Sequence, residues 1–222
     1  MSRIGEGISL KQDISTIAII GGTGKVGRAI VKQALSEGYS VRMLARNPER
    51  VSVTHERLDV VQGDAQDAHI YAKLLEGSHA VINSFGQPGR DKDPIYSKVT
   101  NHIIAAMNEL GIRRFIGITG GSLDVPGDQK SFVNRVGAKL FRLFFRRLIE
   151  DKTKELHILQ HSEVDWTLLR IPFVVEGKAV GTLQVNEQNM PGTKMDSVDI
   201  AKFIMQQIND AHFIRKSPFI SN

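Results

Sequence analysis

The chain has 222 residues, 41% of them hydrophobic and 24% charged, which is typical of a globular protein and favours one α/β domain over two full-sized ones. No apolar run approaches the roughly 20 residues that span a bilayer, so the sequence predicts no membrane span. Cysteine is absent, which excludes disulfides, thiolate catalysis and zinc sites built on cysteine.

The net charge of +5 is concentrated in one segment. Residues 130–155 contain eight cations and three acids, so they carry the whole excess while the rest of the chain is balanced. The first residues lack the apolar stretch of a secretory signal, and we expect 1–13 to be a flexible tail ahead of one domain that covers 1–222. Together with the missing cysteines, this favours a cytoplasmic location.

Short β-branched runs alternate with helical patterns along the chain. They predict strands at 15–20, 40–45, 58–62, 80–84, 114–119 and 165–170. The helical patterns between them end at glycines such as Gly38 and Gly111, where left-handed C-caps are expected. Because the strands are apolar without clean alternation, both of their faces should be buried by helices. The pattern predicts a Rossmann-type doubly wound parallel sheet, followed by an extended or hairpin stretch over 177–189 and a last helix over 196–210.

The first strand leads into the sequence AIIGGTGKVGRAI, residues 18–30, which contains three glycines spaced by two residues. In a βαβ unit such a turn brings free backbone N–H groups and the positive end of a helix dipole to one place, which attracts a pyrophosphate. Gly21 would make the tight turn, Gly24 would admit the phosphates, and Gly27 would let the helix pack on the strand. A purely structural turn is the alternative, but the flanking strand and helix favour a nucleotide site completed by Gly22, Thr23, Lys25 and Val26.

The end of the second predicted strand indicates which dinucleotide fits. NAD enzymes usually place an acid there to bind the ribose 2′-hydroxyl, whereas this chain has Arg46, with Arg50 one turn later. A guanidinium suits a 2′-phosphate, although an Arg on such a turn is also common as a solvated surface residue. We therefore expect NADP(H) as the cofactor, with NAD as the alternative.

These motifs, together with VQGDAQD, AVINSFG, NHIIAAMNELGIRRFIGIT, DWTLLRIP and SVDIAKFI, resemble the atypical short-chain dehydrogenase/reductase families over nearly the whole chain. The families are the NmrA-like proteins and the NAD(P)H-binding group that contains biliverdin-IXβ (flavin) reductase. The resemblance implies that Asp64 and Ala65 lie beside the adenine, although Asp64 could equally cap a turn. It places Thr119 near the nicotinamide. It also assigns further cofactor contacts to Asn83, Ser84, Phe85, Gly86, Pro172 and Phe173.

The sequence departs from the larger superfamily at its proton donor, a Tyr four positions before a Lys. The three tyrosines, Tyr39, Tyr71 and Tyr96, are followed at that spacing by Met, Leu and Thr. Lys152 lies near the family's lysine position, but Leu148 stands where the Tyr would be. Relatives also place a Ser after Thr119, where this chain has Gly120, and Ser122 is the candidate substitute. The resemblance thus implies Thr119, Ser122 and Lys152 as catalytic candidates, with Lys152 also contacting the cofactor.

The absence of the superfamily's Tyr proton donor restricts the class of hydride acceptor. Ketone reduction needs a positioned proton donor, whereas a flavin or another conjugated acceptor can take protons from water. We expect an NADPH-dependent reductase of a flavin-like or quinone-like acceptor, a small flat partner that could be anionic. The rival is a non-catalytic redox-sensing module of the NmrA-like kind.

The segment 131–148 is the unusual part of the chain, and the sequence predicts one amphipathic basic helix there. Four of its cations, Arg135, Lys139, Arg142 and Arg146, fall within an arc of about 60°, whereas Arg147 lies on the wide apolar side. Four roles remain open: a lid over the nicotinamide in which Arg147 grips an anionic substrate, a homodimer interface, a membrane surface contact, or burial within the domain. Nucleic acid is not expected, because no aromatic residue interrupts the short basic arc. His157 and His161 lack an evident third ligand, so no metal site is expected either.

Overall fold

The computed structural model describes residues 16–87, 93–177, 179 and 181–222. The expected tail, 1–13, and the first residue of the first predicted strand lie outside them. The strands are β1 (Thr16–Ile20), β2 (Ser40–Ala45), β3 (Leu58–Gln62), β4 (Ala80–Asn83), β5 (Arg114–Gly120), β6 (Asp165–Ile171), β7 (Phe173–Val175), β8 (Gln184–Asn186), β9 (Lys194–Asp196) and β10 (Phe219–Ser221). The helices are α1 (Lys25–Ser36), α2 (Ile70–Leu75), α3 (Tyr96–Leu110), α4 (Phe132–Phe144), α5 (Arg146–His161) and α6 (Ser197–Ile208).

Eight strands form one sheet in the order β3-β2-β1-β4-β5-β6-β10-β8, and β7 pairs with β9 in a second, two-stranded sheet. The large sheet is parallel except at its edge, where β8 runs antiparallel to β10. Two buried clusters cover its faces. Ile17 and Ile19 pack with α1 and α6, whereas Ala18 and Ile20 pack with α2, α3 and α5. This burial of both faces confirms the predicted doubly wound sheet.

The strands and glycine caps largely follow the sequence prediction. The six predicted strands match β1 to β6 within a residue at each end among the described positions, and Gly38 and Gly111 have φ of 93° and 70°. The sequence pattern missed β10. In the expected hairpin stretch, the described residues contain only β8, which pairs with β10 rather than with a strand of its own stretch.

The predicted helix over 131–148 is wrong in its extent. The chain leaves helical geometry at Phe145, which has φ of −123° and ψ of 40°, so α4 ends at Phe144 and Arg147 belongs to α5. The reason lies in packing. Helix α5 buries Leu156 and Leu159 in the core, whereas the one buried residue of α4 is Ala138. The break at Phe145 lets α5 pack in the core while α4 lies at the surface.

Candidate functional site

A cavity of about 820 Å³ lies at the carboxyl ends of β1, β2, β3 and β4, where the strand order reverses between β1 and β4. Open α/β sheets bind ligands at this switch point. Eleven predicted cofactor residues line the cavity: Gly21, Thr23, Gly24, Lys25, Val26, Arg46, Asp64, Ala65, Ser84, Phe85 and Gly86. The structure thus brings together residues from four separate loops.

The glycines of the first loop have distinct structural roles. Gly21 has φ of 81°, and a β-carbon there would lie 2.5 Å from the carbonyl oxygen of Ser84, so this residue permits both the turn and the approach of β4. A β-carbon on Gly27 would overlap the carbonyl of Gly21, so this glycine allows close packing of the helix against the loop rather than, as predicted, against the strand. A β-carbon on Gly22 would meet the side chain of Met43. Gly24 is different, because a β-carbon there would meet one atom within 4 Å, the Gly21 oxygen at 3.2 Å.

Helix α1 presents its N-terminus to the cavity. Gly24 is the N-cap residue and offers no side chain to the helix, and the amide of Arg28 donates to the carbonyl of Gly24 at 2.9 Å. The amides of the first turn therefore have no acceptor within the helix, and the cavity wall includes Gly24, Lys25 and Val26. This is the local arrangement that binds phosphate groups.

Arg46 directly follows β2, is exposed and lines the cavity. Arg50 does not share this position, because it lines a separate small groove beside Gly22 and Met43. Across the cavity, Asp64 is exposed and its Oδ1 accepts a hydrogen bond from the amide of Gln66 at 2.8 Å. Asp64 therefore caps its own turn while it faces the cavity, and the two alternatives from the sequence are compatible.

The loop after β4 is held by hydrogen bonds at both ends. The amide and hydroxyl of Ser84 each donate to the carbonyl of Ile20 at 2.9 Å. At the other end, the amide of Gln87 donates to the hydroxyl of Tyr96 at 3.0 Å. Asn83 does not line the cavity, but its Oδ1 accepts from the amide of Phe85 and so supports the loop from behind. The wall formed by residues 84–87 is therefore well anchored.

The other predicted residues lie away from the described cavity lining. Thr119 is 3% exposed and its hydroxyl has no hydrogen-bond partner, which leaves a buried polar group unsatisfied near the carboxyl end of β5. Ser122 is half-buried in the turn that follows β5. Pro172 and Phe173 follow β6, and Phe173 is 79% exposed, whereas its neighbour Val174 does line the cavity.

Lys152 is buried in α5 and forms an ion pair with Glu155, Nζ to Oε2 at 3.1 Å. Its Nζ also lies 3.7 Å from the centre of the Tyr96 ring. Glu155 accepts in turn from the hydroxyl of Thr100, which contacts Asn83. The sequence did not indicate this buried polar chain, because its members come from β4, α3 and α5. The feature of the sequence that could have indicated this chain is the presence of polar residues on otherwise apolar helix faces.

Within the described part of the chain, no group of three or more His, Asp or Glu side chains is placed to hold a metal ion. No helix among the described residues is both long and apolar enough to cross a bilayer.

A glycine-rich turn between β1 and α1, at the switch point of this sheet, defines a Rossmann-type nucleotide-binding protein. The chain belongs to the NAD(P)H-binding family, whose model matches residues 21–211. This match confirms the resemblance to the atypical short-chain group and establishes a nicotinamide cofactor as the ligand class.

One curated relative and two solved structures illustrate the range of similar proteins. The photosystem II assembly factor Ycf39 of Trieres chinensis is 27% identical over 206 residues, which cover 87% of this chain and 59% of Ycf39. The chain thus spans about three fifths of the length of that relative. The anaerobilin reductase ChuY of Escherichia coli O157:H7 superposes with a TM-score of 0.76 at 21% identity, over 93% of this chain and 96% of ChuY. A short-chain dehydrogenase/reductase from Veillonella parvula, solved in complex with NADP, gives 0.76 at 16% identity over 94% of each chain.

Proposed function

We propose that the chain is an NADPH-dependent reductase that delivers a hydride to a flavin-like or quinone-like acceptor. The observation that carries the cofactor preference is Arg46 on the cavity wall, where an NAD enzyme would place an acid. Its guanidinium can donate paired hydrogen bonds to a 2′-phosphate. The NADP complex of the Veillonella parvula fold neighbour supports the same preference.

The described residues fit such a cofactor. The pyrophosphate would lie at the N-terminus of α1, against the open side of Gly24, because that glycine has no side chain to block it. Asp64 and Ala65 would contact the adenine, and the loop from Ser84 to Gly86 would contact the ribose. The resemblance would place Thr119 and Ser122 near the nicotinamide end. Both lie outside the described lining, so the buried hydroxyl of Thr119 would hydrogen-bond the cofactor only if this end of the cavity opens on binding. The cofactor supplies a hydride when it is bound and reduced.

The acceptor class follows from what the protein offers in proton transfer. Leu148 occupies the place of the superfamily's tyrosine, and Lys152 is engaged with Glu155 and the Tyr96 ring. A conjugated acceptor such as a flavin or quinone is consistent with this arrangement, since it takes protons from water after accepting the hydride. The fold neighbour ChuY is also named as a reductase, of anaerobilin.

A non-catalytic redox-sensing module is the second candidate. The observation in its favour is that Lys152, the one candidate at the family's lysine position, is buried in an internal ion pair and does not line the described cavity. Ycf39 is likewise named as an assembly factor rather than as an enzyme.

An assay of NADPH oxidation distinguishes the reductase from the sensor. The oxidation is measured as a loss of the near-ultraviolet absorbance of NADPH. We expect turnover with FMN, riboflavin or a short-chain quinone and none with simple ketones or aldehydes. Binding of both NADP and NADPH without turnover of any conjugated acceptor would favour the sensor. Efficient ketone reduction would contradict the acceptor class.

A further inference from the structure

Helix α4 presents its apolar side to solvent. Its inner side consists of Asn134, Ala138 and Phe141, and the side-chain Nδ2 of Asn134 donates to Asn189 Oδ1 at 2.8 Å and to the carbonyl of Met190 at 3.0 Å. The opposite side carries six large exposed hydrophobic residues, which we call the outer stripe: Phe132, Val133, Val136, Leu140, Leu143 and Phe144. The role of burial within the domain, left open by the sequence, is therefore wrong.

The outer stripe is continuous. At about 100° per residue its six side chains fall within an arc of about 120°. Phe132, Leu143 and Phe144 are 78%, 74% and 76% exposed. Contiguous apolar patches of this kind on a water-soluble surface mark a binding site for another apolar surface.

The charge around the outer stripe is one-sided. Arg135, Lys139 and Arg142 form a cationic row that borders one edge of the stripe, at about 280° to 340° when Phe132 is set to zero. Residues 129–149 contain six cations and no acid. Arg142 pairs with Asp124, but within the described residues no carboxylate forms a salt bridge with Arg135 or Lys139. The partner should therefore be apolar and negatively charged at its surface.

Two other occupants fit less well. Among the described residues, none of α4 lines the cofactor cavity, so the helix does not cover that cavity in this structure. In a symmetric antiparallel pairing of two copies through the outer stripe, the two cationic rows would lie along the same edge and repel each other. In a parallel pairing they would lie on opposite edges, where the paired helix offers them no acidic partner, because residues 129–149 contain no acid. An anionic lipid surface avoids both difficulties, because apolar side chains enter the acyl boundary while the Arg and Lys side chains reach the headgroups.

We propose that α4 is a docking helix for the surface of an anionic lipid membrane, with the outer stripe in the bilayer interface and the cationic row at the headgroups. The inference is independent of the proposed function. It requires no membrane span.

Sedimentation of the full chain with lipid vesicles tests the proposal. We expect binding to vesicles of phosphatidylcholine with about 30% phosphatidylglycerol, and at least about tenfold weaker binding to phosphatidylcholine alone. The double variant Leu140→Gln/Leu143→Gln should weaken binding at least about tenfold, because both side chains return to water. Leu110→Gln is the matched control, since Leu110 is exposed on α3 outside the stripe and should leave binding unchanged.

A second pair of variants tests the charge. Arg135→Gln/Lys139→Gln should weaken binding to the anionic vesicles severalfold, whereas Lys73→Gln/Lys98→Gln, which removes two charges elsewhere, should have little effect. Raising the salt from about 0.1 M to about 1 M shortens the Debye length from about 10 Å to about 3 Å and should also weaken binding. Unchanged thermal melts establish that the variants fold.

Light scattering after size-exclusion chromatography measures the oligomeric state, which identifies the results that would contradict the proposal. If the wild type does not bind the anionic vesicles and is a dimer that Leu140→Gln/Leu143→Gln converts to a monomer, the stripe is a dimer interface and the proposal is wrong. It is equally overturned if the protein is monomeric and binds neither kind of vesicle. Loss of acceptor turnover in the leucine variant without vesicle binding would instead favour the lid.

Discussion

Arg170 and Asp128 form a buried ion pair, in which Nη1 of Arg170 donates to both carboxylate oxygens of Asp128 at 2.7 Å. Arg170 is 1% exposed on β6, and its remaining nitrogens donate to the carbonyls of Ser217 and Glu187. Burial lowers the pKa of Arg170 and the charge of Asp128 opposes that shift. The pair fixes the segment after β5 to the sheet.

Asp128→Ala should lower the free energy of unfolding by about 3–5 kcal/mol, because it leaves the guanidinium buried and uncompensated. Urea denaturation measures the loss. Asp124→Ala is the matched control, since Asp124 is half-exposed and its removal should cost no more than about 1 kcal/mol. Equal losses of unfolding free energy in the two variants would show that the stabilisation by the Arg170–Asp128 pair does not depend on its burial.

Asp124 gives the fold a predictable pH dependence. Partial burial alone would raise its pKa, but hydrogen bonds and charges from Lys130 and Arg142 lower it below the ordinary value. Because the pKa is lower in the folded state, the stabilisation is present above the unfolded value of about 3.9 and is lost as the pH falls through the folded one.

The stability difference between the wild type and Asp124→Asn should therefore be constant near pH 7 and shrink towards zero below about pH 4. Denaturation curves collected at several pH values check this. A difference that stays the same down to pH 2 would mean that the ionised carboxylate contributes nothing.

Gly24 and Gly27 should respond differently to a side chain. Gly24 has φ of −73° and ψ of 171°, which any residue adopts, so Gly24→Val should fold and lose affinity for NADP and NAD alike. Gly27→Ala should destabilise the fold, because its β-carbon would overlap the carbonyl of Gly21. Thermal melts with cofactor titrations separate the two effects. Normal binding by folded Gly24→Val would place the pyrophosphate elsewhere.

The sequence predicted features that depend on local periodicity and on glycine spacing. The strands β1 to β6, the caps at Gly38 and Gly111 and the loop from Gly21 to Gly27 are of this kind, because neighbouring residues determine them. It did not predict β10, which is three residues long and gains its partners, β6 and β8, only in the folded chain.

The remaining differences have the same origin in tertiary contacts. The ion pair of Arg170 with Asp128 and the contact of Lys152 with Tyr96 join residues 42 and 56 positions apart. The amphipathic pattern of α4 correctly indicated a helix, but periodicity cannot show which side faces the domain. That side is determined by the contacts of Asn134 with Asn189 and Met190.

The cavity at the carboxyl ends of β1 to β4 should hold NADP(H) through Arg46, and titration calorimetry with NADP and NAD decides whether it does. Arg46→Asp should weaken NADP binding by about 1.5–3 kcal/mol, the contribution of a charge-assisted hydrogen bond, and leave NAD binding nearly unchanged. Arg50→Asp, a matched change in a separate groove, should affect neither cofactor by a comparable amount. Equal losses of NADP and NAD binding in Arg46→Asp, or no loss of either, would show that Arg46 does not bind the 2′-phosphate of NADP(H).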